Sequence, residues 1–220
     1  IKTGSSQDPA GKEGLAGFTA AMLEKGTKRR GAERISEDLE QIGAEFGIGV
    51  EPDYTMASIS SLSFDKDNSL KQFQEILLTP VFPPQEIERH RKQVLGGLQK
   101  MADRAEAFSE YLMQPFLFGK HPYGHEASGT PKSVKTLRNF DLQRFYSANY
   151  VPGNSVLAVV GQYDPEWRES VVKTFEEWKS QPSKTTEVPD FPKWDGLEML
   201  LVDRADLQQA QIQIGFKGVP

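Results

Sequence analysis

The sequence has 220 residues, a formal net charge of −5 and no cysteine. Its acidic balance offers no extended cationic face for nucleic acid, and the lack of cysteine excludes disulfides, thiol nucleophiles and thiolate-bound zinc. No apolar run reaches the roughly 18 residues that predict a membrane-spanning helix. A chain of this length can bury a sizeable core as one large domain or two small ones.

The first predicted element is a helix over residues 14–25 with two contrasting faces. Its apolar stripe consists of Leu15, Phe18 and Met22. Roughly opposite lie three small residues, Gly17, Ala20 and Ala21. A second helix is predicted over residues 32–42. Gly43 comes directly after it, at the position where glycine commonly ends a helix.

The middle of the chain predicts one strand followed by helices. A strand is expected over residues 55–64, where Ser, Ile and Leu predominate. The helices are expected over residues 70–78, 85–118 and 141–149, the long one breaking near residues 103–106 or at Pro115.

The last third of the chain mixes both element types. Residues 155–161 form an apolar run typical of a buried strand. A helix is expected over residues 166–178 with Val171, Val172 and Phe175 inward, then a connector over residues 180–196. Further strands are predicted over residues 197–202 and 210–216. Helices and strands without regular alternation indicate an α+β fold.

Short motifs along nearly the whole chain resemble one protein family. Residues 14–23 read G-L-A-G-F-T-A-A-M-L, and residues 121–124 read H-P-Y-G ahead of G-T-P at residues 129–131. Residues 78–83 read L-T-P-V-F-P and residues 209–212 read Q-A-Q-I. In this order they resemble the pitrilysin/insulinase-type zinc peptidases, the inverted zincins that include the mitochondrial processing peptidases.

The resemblance implies a fold and an extent. It implies a mixed, largely antiparallel sheet with helices packed on it, the processing-peptidase-like metallohydrolase fold. Residues 1–220 would then be a single N-terminal peptidase-like domain without its first strand, because residues 1–5 resemble the end of the opening strand pair. The homologous C-terminal half would lie outside this sequence.

The resemblance also implies that the catalytic site is lost. The family holds zinc with two His of an H-x-x-E-H helix and a Glu of a second helix, and the Glu of the motif is the general base. The matching positions here are Gly17, Ala20, Ala21 and, on the second helix, Gly97. Because Gly and Ala provide no donor atom, we expect neither bound zinc nor catalysis by this chain.

The strand that pairs with peptide in the family corresponds here to Gly47, Ile48, Gly49 and Val50. Two interpretations stay open. Glycine weakens a strand and packs nothing, which favours a flexible edge without a ligand. Alternatively, peptide pairing persists through the backbone.

The three histidines give only weak indications of another metal site. His90 lies beside Arg89 and Arg91, which predicts a surface position on the long helix. His121 and His125 have H-x-x-x-H spacing, but Pro122 and its surroundings predict a loop, so a structural role is favoured over a zinc pair.

Three function classes remain. The favoured one is a catalytically inactive subunit that pairs with a zinc-bearing homologue to form a peptide-degrading or processing chamber, with zinc only in that partner. The alternatives are a structural scaffold subunit without a peptidase link and an active hydrolase that uses other residues. The expected compartment is periplasmic, by analogy, with mitochondrial and cytoplasmic locations as alternatives.

Overall fold

The computed structural model describes residues 1–178, 189–194 and 196–216. Helices predominate in these residues and accompany one antiparallel hairpin, an α+β arrangement. The elements are α1 (Leu15–Ala21), α2 (Ala32–Gln41), β1 (Glu45–Val50), β2 (Thr55–Ser60), α3 (Lys66–Leu78), α4 (Pro84–Ala102), α5 (Ala105–Phe118), α6 (Pro131–Val134), α7 (Asn139–Asn149) and α8 (Pro165–Phe175).

The hairpin supports the first helix. β1 and β2 pair from Glu45 opposite Ser60 to Val50 opposite Thr55. Because successive side chains of a strand alternate between faces, β1 turns its apolar side chains inward, and α1 packs against this strand and against α7. The core beneath these elements includes the fully buried side chains Phe82, Met22, Leu23, Ile35, Ile76 and Leu142.

The predicted helices are confirmed with small shifts in their ends. The helix predicted over residues 14–25 ends as α1 at Ala21 and continues as a single 3₁₀ turn up to Lys25. Gly43 follows α2 with φ of 57°, the left-handed conformation that favours glycine. The long helix breaks between Ala102 and Ala105, whereas Pro115 is tolerated inside α5.

Three predicted strands are wrong in the described residues. Residues 155–161, 197–202 and 210–216 are irregular and expose apolar side chains such as Val160 (97%) and Leu201 (87%). The composition suits strands, but a strand needs a neighbour for its backbone groups, and none pairs with these segments in the described part of the chain. The sheet described here is therefore smaller than predicted.

Smaller corrections concern the C-terminal third. Val171 is buried on α8 as expected, but Val172 is 58% exposed and does not point inward. Most of the connector predicted over residues 180–196 lies outside the described residues. No helix of the described chain combines the length and apolarity needed to cross a membrane.

Candidate functional site

A small, mostly apolar pocket of about 260 Å³ lies where the sequence predicted the remains of a metal site. It is open to solvent on one side and is bordered by α1, the end of β1, the middle of α4 and the loop between α5 and α6. Its lining comprises Gly14, Gly17, Phe18, Ala20, Ala21, Ile48, Val50, His90, Val94, Ala127 and Ser128.

Three of the four positions singled out in the sequence meet in this pocket. Gly17, Ala20 and Ala21 line it from α1. Gly97 does not line it: this exposed residue lies on α4 one turn beyond Val94, on the same helical face. The roles of these positions stay predictions, since the pocket itself tests none of them.

The donor set of the pocket does not suit zinc. Structural and catalytic zinc sites use three or four imidazole, thiolate or carboxylate ligands. The lining provides one imidazole, His90, and one hydroxyl, Ser128. In the described ranges, no three His, Asp or Glu side chains come close enough to hold a metal ion.

The loop between α5 and α6 closes directly over α1, and glycine makes this approach possible. A Cβ atom added to Gly17 would lie 2.3 Å from the carbonyl oxygen of Ala127. Gly14 and Gly129 meet in a similar way, since a Cβ on Gly14 would lie 2.8 Å from the Cα of Gly129. A side chain at residue 17 would thus require the loop backbone to move.

A buried carboxylate joins this loop to the start of α1. The side chain of Asp8 is fully buried and accepts hydrogen bonds of 2.7 Å from the amides of Gly14 and Ala16. The Nε2 atom of His125, in the loop, lies 3.1 Å from the same carboxylate. Asp8 therefore both satisfies free amides at the first turn of α1 and fixes the loop.

For each of these two groups, burial and the contacts with neighbouring groups shift the pKa in opposite directions. Burial raises the pKa of Asp8, and the contacts with His125 and the two amides only partly offset it. For His125, burial is the largest single effect and lowers the pKa, but the hydrogen bond and the charge of Asp8, the carbonyl of Ser5 and the charge of Glu13 together outweigh burial and leave the pKa raised. The raised pKa of His125 favours its charged form in the folded chain.

Two further contacts hold the loop. The hydroxyl of Tyr123 donates to the Oδ2 atom of Asp53 at 2.6 Å, and this bond raises the pKa of Tyr123 to about 12. His121 is buried, with its Nε2 atom 3.0 Å from the carbonyl oxygen of Pro189. Because His121 and His125 have separate partners, the structure favours their structural roles over a zinc pair.

The prediction for His90 is wrong. Instead of projecting into solvent, His90 lines the pocket and meets the ring of Phe18 edge-on, with ring centroids 4.6 Å apart. Burial lowers the pKa of His90, which favours the neutral imidazole. His90 lies one turn before Val94 on α4, so both side chains share the face that the pocket uses.

The strand predicted to meet peptide leaves one edge unpaired. Glu51 donates its amide to Tyr54 at the turn, and hydrogen-bonded pairs alternate along an antiparallel ladder. The backbone groups of Phe46, Ile48 and Val50 therefore point away from β2, and none finds a backbone partner in the described residues. Ile48 and Val50 also line the pocket, so this free edge runs beside it.

Sequence reasoning missed the anchors of the loop. The partner of Asp8 is 117 residues away and that of Asp53 is 70 residues away, so no local pattern indicates either contact. One signal could have revealed the close approach: Gly17 is a glycine within a predicted helix, where it is unfavourable by about 1 kcal/mol relative to alanine.

Two family descriptions match the chain. Residues 1–130 match insulinase (peptidase family M16), and residues 139–220 match the peptidase M16 inactive domain. Among curated proteins, a probable mitochondrial-processing peptidase subunit beta of Arabidopsis thaliana is 27% identical over 99% of this chain and 41% of its own length. An uncharacterized zinc protease of Bacillus subtilis is 22% identical over 100% of this chain and 53% of its own. The chain thus spans about half the length of these relatives.

Two solved structures share the fold of this chain. A peptidase M16 inactive domain from Pseudomonas fluorescens superimposes with a TM-score of 0.80 at 28% identity, covering 87% of this chain and 47% of that one. The periplasmic protease PqqL from Escherichia coli gives a TM-score of 0.75 at 22% identity, over 87% of this chain and 22% of that one.

Proposed function

Because the chain belongs to the insulinase family of peptidases, peptidase family M16, we propose that it is part of a catalytically inactive subunit. This subunit pairs with a zinc-bearing homologue and forms one wall of a chamber that degrades or processes peptides. The zinc ion and the general base come from the partner alone.

The lining of the α1 pocket is the observation that carries the proposal. Hydrolysis by this family's chemistry needs ligands and a base on α1, and Gly17, Ala20 and Ala21 provide none. The carbonyl of Ala127 also stands where the first ligand side chain would begin. Because Asp8 and Tyr123 hold the loop in place, the pocket leaves no room for that ligand side chain.

A role in holding peptide follows from the free edge of β1. An extended peptide can add to an unpaired strand edge through main-chain hydrogen bonds. Phe46, Ile48 and Val50 direct their backbone groups toward that edge, and the pocket beside it accepts an apolar side chain. We therefore favour retained peptide pairing over an edge without a ligand.

The compartment is part of the proposal. The relatives include a protein named as mitochondrial and one named as periplasmic. We retain the periplasm as the expected location of this protein, with mitochondrial and cytoplasmic locations as alternatives. Fractionation of the source cells, with an antibody against this chain, decides among them.

Titration of the full-length protein into a zinc-bearing homologue from the same genome tests the pairing. Cleavage of a fluorogenic peptide and sedimentation velocity are followed in the same samples. We expect one new, faster-sedimenting species and an increase in turnover that saturates at equimolar protein. Unchanged turnover with two independent sedimenting species would contradict pairing and favour the scaffold alternative.

A proline substitution tests the peptide edge. Ile48→Pro removes an amide that points away from β2, so the β1–β2 ladder keeps its hydrogen bonds. Ile48→Val is the matched control, because it keeps the amide and a β-branched side chain. We expect weaker peptide binding by the complex for the proline variant only; equal binding by both variants would exclude pairing at this edge.

A further inference from the structure

The hairpin of β1 and β2 has one face packed on the core and one face open to solvent. Phe46, Ile48 and Val50 of β1 pack against the buried core, and so do Ala57 and Ile59 of β2. The opposite face is exposed along both strands. Its residues are Glu45, Gly47 and Gly49 on β1 and Met56, Ser58 and Ser60 on β2.

The open face of β1 is almost bare, because two of its three residues are glycines. Glycine weakens a strand, and it often marks a place where a ligand or another backbone approaches closely. Neither Gly47 nor Gly49 has a positive φ, so the backbone itself does not require glycine at these residues. A Cβ atom added to Gly49 would meet nothing within 4 Å, whereas one on Gly47 would lie 3.4 Å from the hydroxyl oxygen of Ser58. The surface over Gly49 is therefore free to receive a side chain from a neighbouring strand.

A peptide on the free edge of β1 would meet this bare surface at alternate residues. Since the backbone groups of Gly49 bond to β2, a peptide residue opposite Gly49 forms a non-hydrogen-bonded pair, with Cα atoms about 4.5 Å apart. Its side chain points to the open face. The adjacent peptide residue lies opposite Ile48 and directs its side chain to the inner face, where Ile48 lines the α1 pocket. Neighbouring peptide residues are thus recognised by different surfaces.

Met56 is the side chain that lies behind Gly49 on the open face. It is directly opposite Gly49 on β2, and it is 64% exposed. The two strand spacings place its Cα atom about 10 Å from that of a peptide residue opposite Gly49. Over a bare glycine, a long aromatic side chain and a methionine can extend toward each other and bridge this distance. Contacts between a thioether sulfur and an aromatic ring are favourable at about 5 Å.

The second glycine does not offer the same contact. The residue behind Gly47 is Ser58, whose side chain is short and polar. A ring opposite Gly47 would therefore cover a hydroxyl instead of a thioether. The two glycines differ only in what lies behind them, so the open face distinguishes one peptide position from the other.

We propose that Met56, reached across Gly49, selects extended peptides with an aromatic residue directly next to the aliphatic residue that enters the α1 pocket. This inference rests on the proposed pairing of peptide with the free edge of β1. The ring covers Gly49 and packs on Met56, and the aliphatic side chain enters the pocket of about 260 Å³ on the other face. Because β1 runs from Ile48 to Gly49, the aromatic residue precedes the aliphatic one in an antiparallel peptide.

Three fluorescein-labelled heptapeptides test the selection, and fluorescence anisotropy with the full-length protein measures their dissociation constants. In antiparallel pairing, Lys-Thr-Tyr-Val-Ser-Thr-Lys places tyrosine opposite Gly49 and valine opposite Ile48. Lys-Thr-Ala-Val-Ser-Thr-Lys lacks the ring. Lys-Thr-Ser-Val-Tyr-Thr-Lys has the composition of the first peptide but places the ring opposite Gly47. We expect the first peptide to bind about fivefold more tightly than either of the others.

An exchange of two exposed side chains on β2 links this preference to Met56. Met56→Ser should remove the preference for the first peptide, because the ring then meets only a hydroxyl behind Gly49. Adding Ser58→Met to that variant places the thioether behind Gly47 instead. The double variant should therefore prefer the third peptide, in which the ring lies opposite Gly47. Both residues are exposed, so the exchange leaves the packed face of the hairpin unchanged.

The outcomes separate this selection from the peptide-binding role on which it rests. Equal binding of the three peptides that Ile48→Pro weakens would overturn the selection and leave pairing at the β1 edge in place. A preference for the first peptide that persists in Met56→Ser would overturn it as well. Absence of binding by all three peptides, or binding that Ile48→Pro does not change, would contradict the pairing itself and the selection with it.

Discussion

Replacing Gly17 by alanine should destabilise the fold although alanine favours a helix. The Cβ atom of Gly17→Ala would lie 2.3 Å from the backbone carbonyl of Ala127, which cannot rotate away as a side chain would. Overpacking of this kind costs about 1–3 kcal/mol. The gain in helix propensity offsets only about 1 kcal/mol of it.

Gly97→Ala is the matched control for that substitution. Gly97 also lies inside a helix, but nothing approaches its added Cβ within 4 Å. We expect Gly97→Ala to raise the free energy of unfolding by up to about 1 kcal/mol. The unfolding free energies of the two variants should therefore differ by about 1–3 kcal/mol. Urea unfolding followed by circular dichroism measures both. If Gly17→Ala raised the free energy of unfolding as much as Gly97→Ala does, the close approach of the loop to α1 would be refuted.

Three further predictions concern the loop and the lost site. The contact with Asp8 raises the pKa of His125. The stability that this contact gives the fold should therefore be complete below about pH 6.5, the ordinary His pKa, and should be lost as the pH rises through the raised value. Urea unfolding from pH 5 to 9 should show this loss in the wild type and not in His125→Gln. Tyr123 should ionise near pH 12 by ultraviolet absorbance, and Asp53→Asn should return its titration toward about 10; identical titrations would contradict the hydrogen bond. The double variant Gly17→His/Ala21→His should not hydrolyse peptides and should be less stable than the wild type, because residue 17 meets Ala127; zinc-dependent turnover by it would contradict this.

The helices could be predicted because their signals are local. The apolar spacing of Leu15, Phe18 and Met22 and the glycine after α2 depend on residues within a few positions of each other. The small-residue face of α1 was likewise predictable, since the positions that line the pocket follow directly from helical periodicity.

The strands of the last third could not be predicted because a strand depends on its neighbour. Residues 155–161 have a suitable composition, but no segment of the described residues pairs with them. β2 forms because β1 precedes it at hairpin distance and supplies the opposite backbone groups. A local pattern therefore predicts the capacity to form a strand, and pairing decides whether it forms.

His90 and the loop illustrate two other limits. The position of His90 was inferred from Arg89 and Arg91, its neighbours in sequence, whereas residues three and four positions apart share a helical face. His90 shares its face with Val94, which lines the same pocket. The loop depends on contacts across more than 100 residues, such as that between His125 and Asp8, which periodicity cannot reveal.

Zinc binding by the purified protein tests the loss of the metal site most directly. The chain is dialysed against buffer with zinc and without chelator, and its metal content is measured by elemental analysis beside His90→Ala, which removes the one imidazole of the pocket. We predict that both proteins contain far less than one zinc ion per chain. One zinc ion per wild-type chain that disappears in His90→Ala would contradict the account, because it would place a working metal site in the α1 pocket.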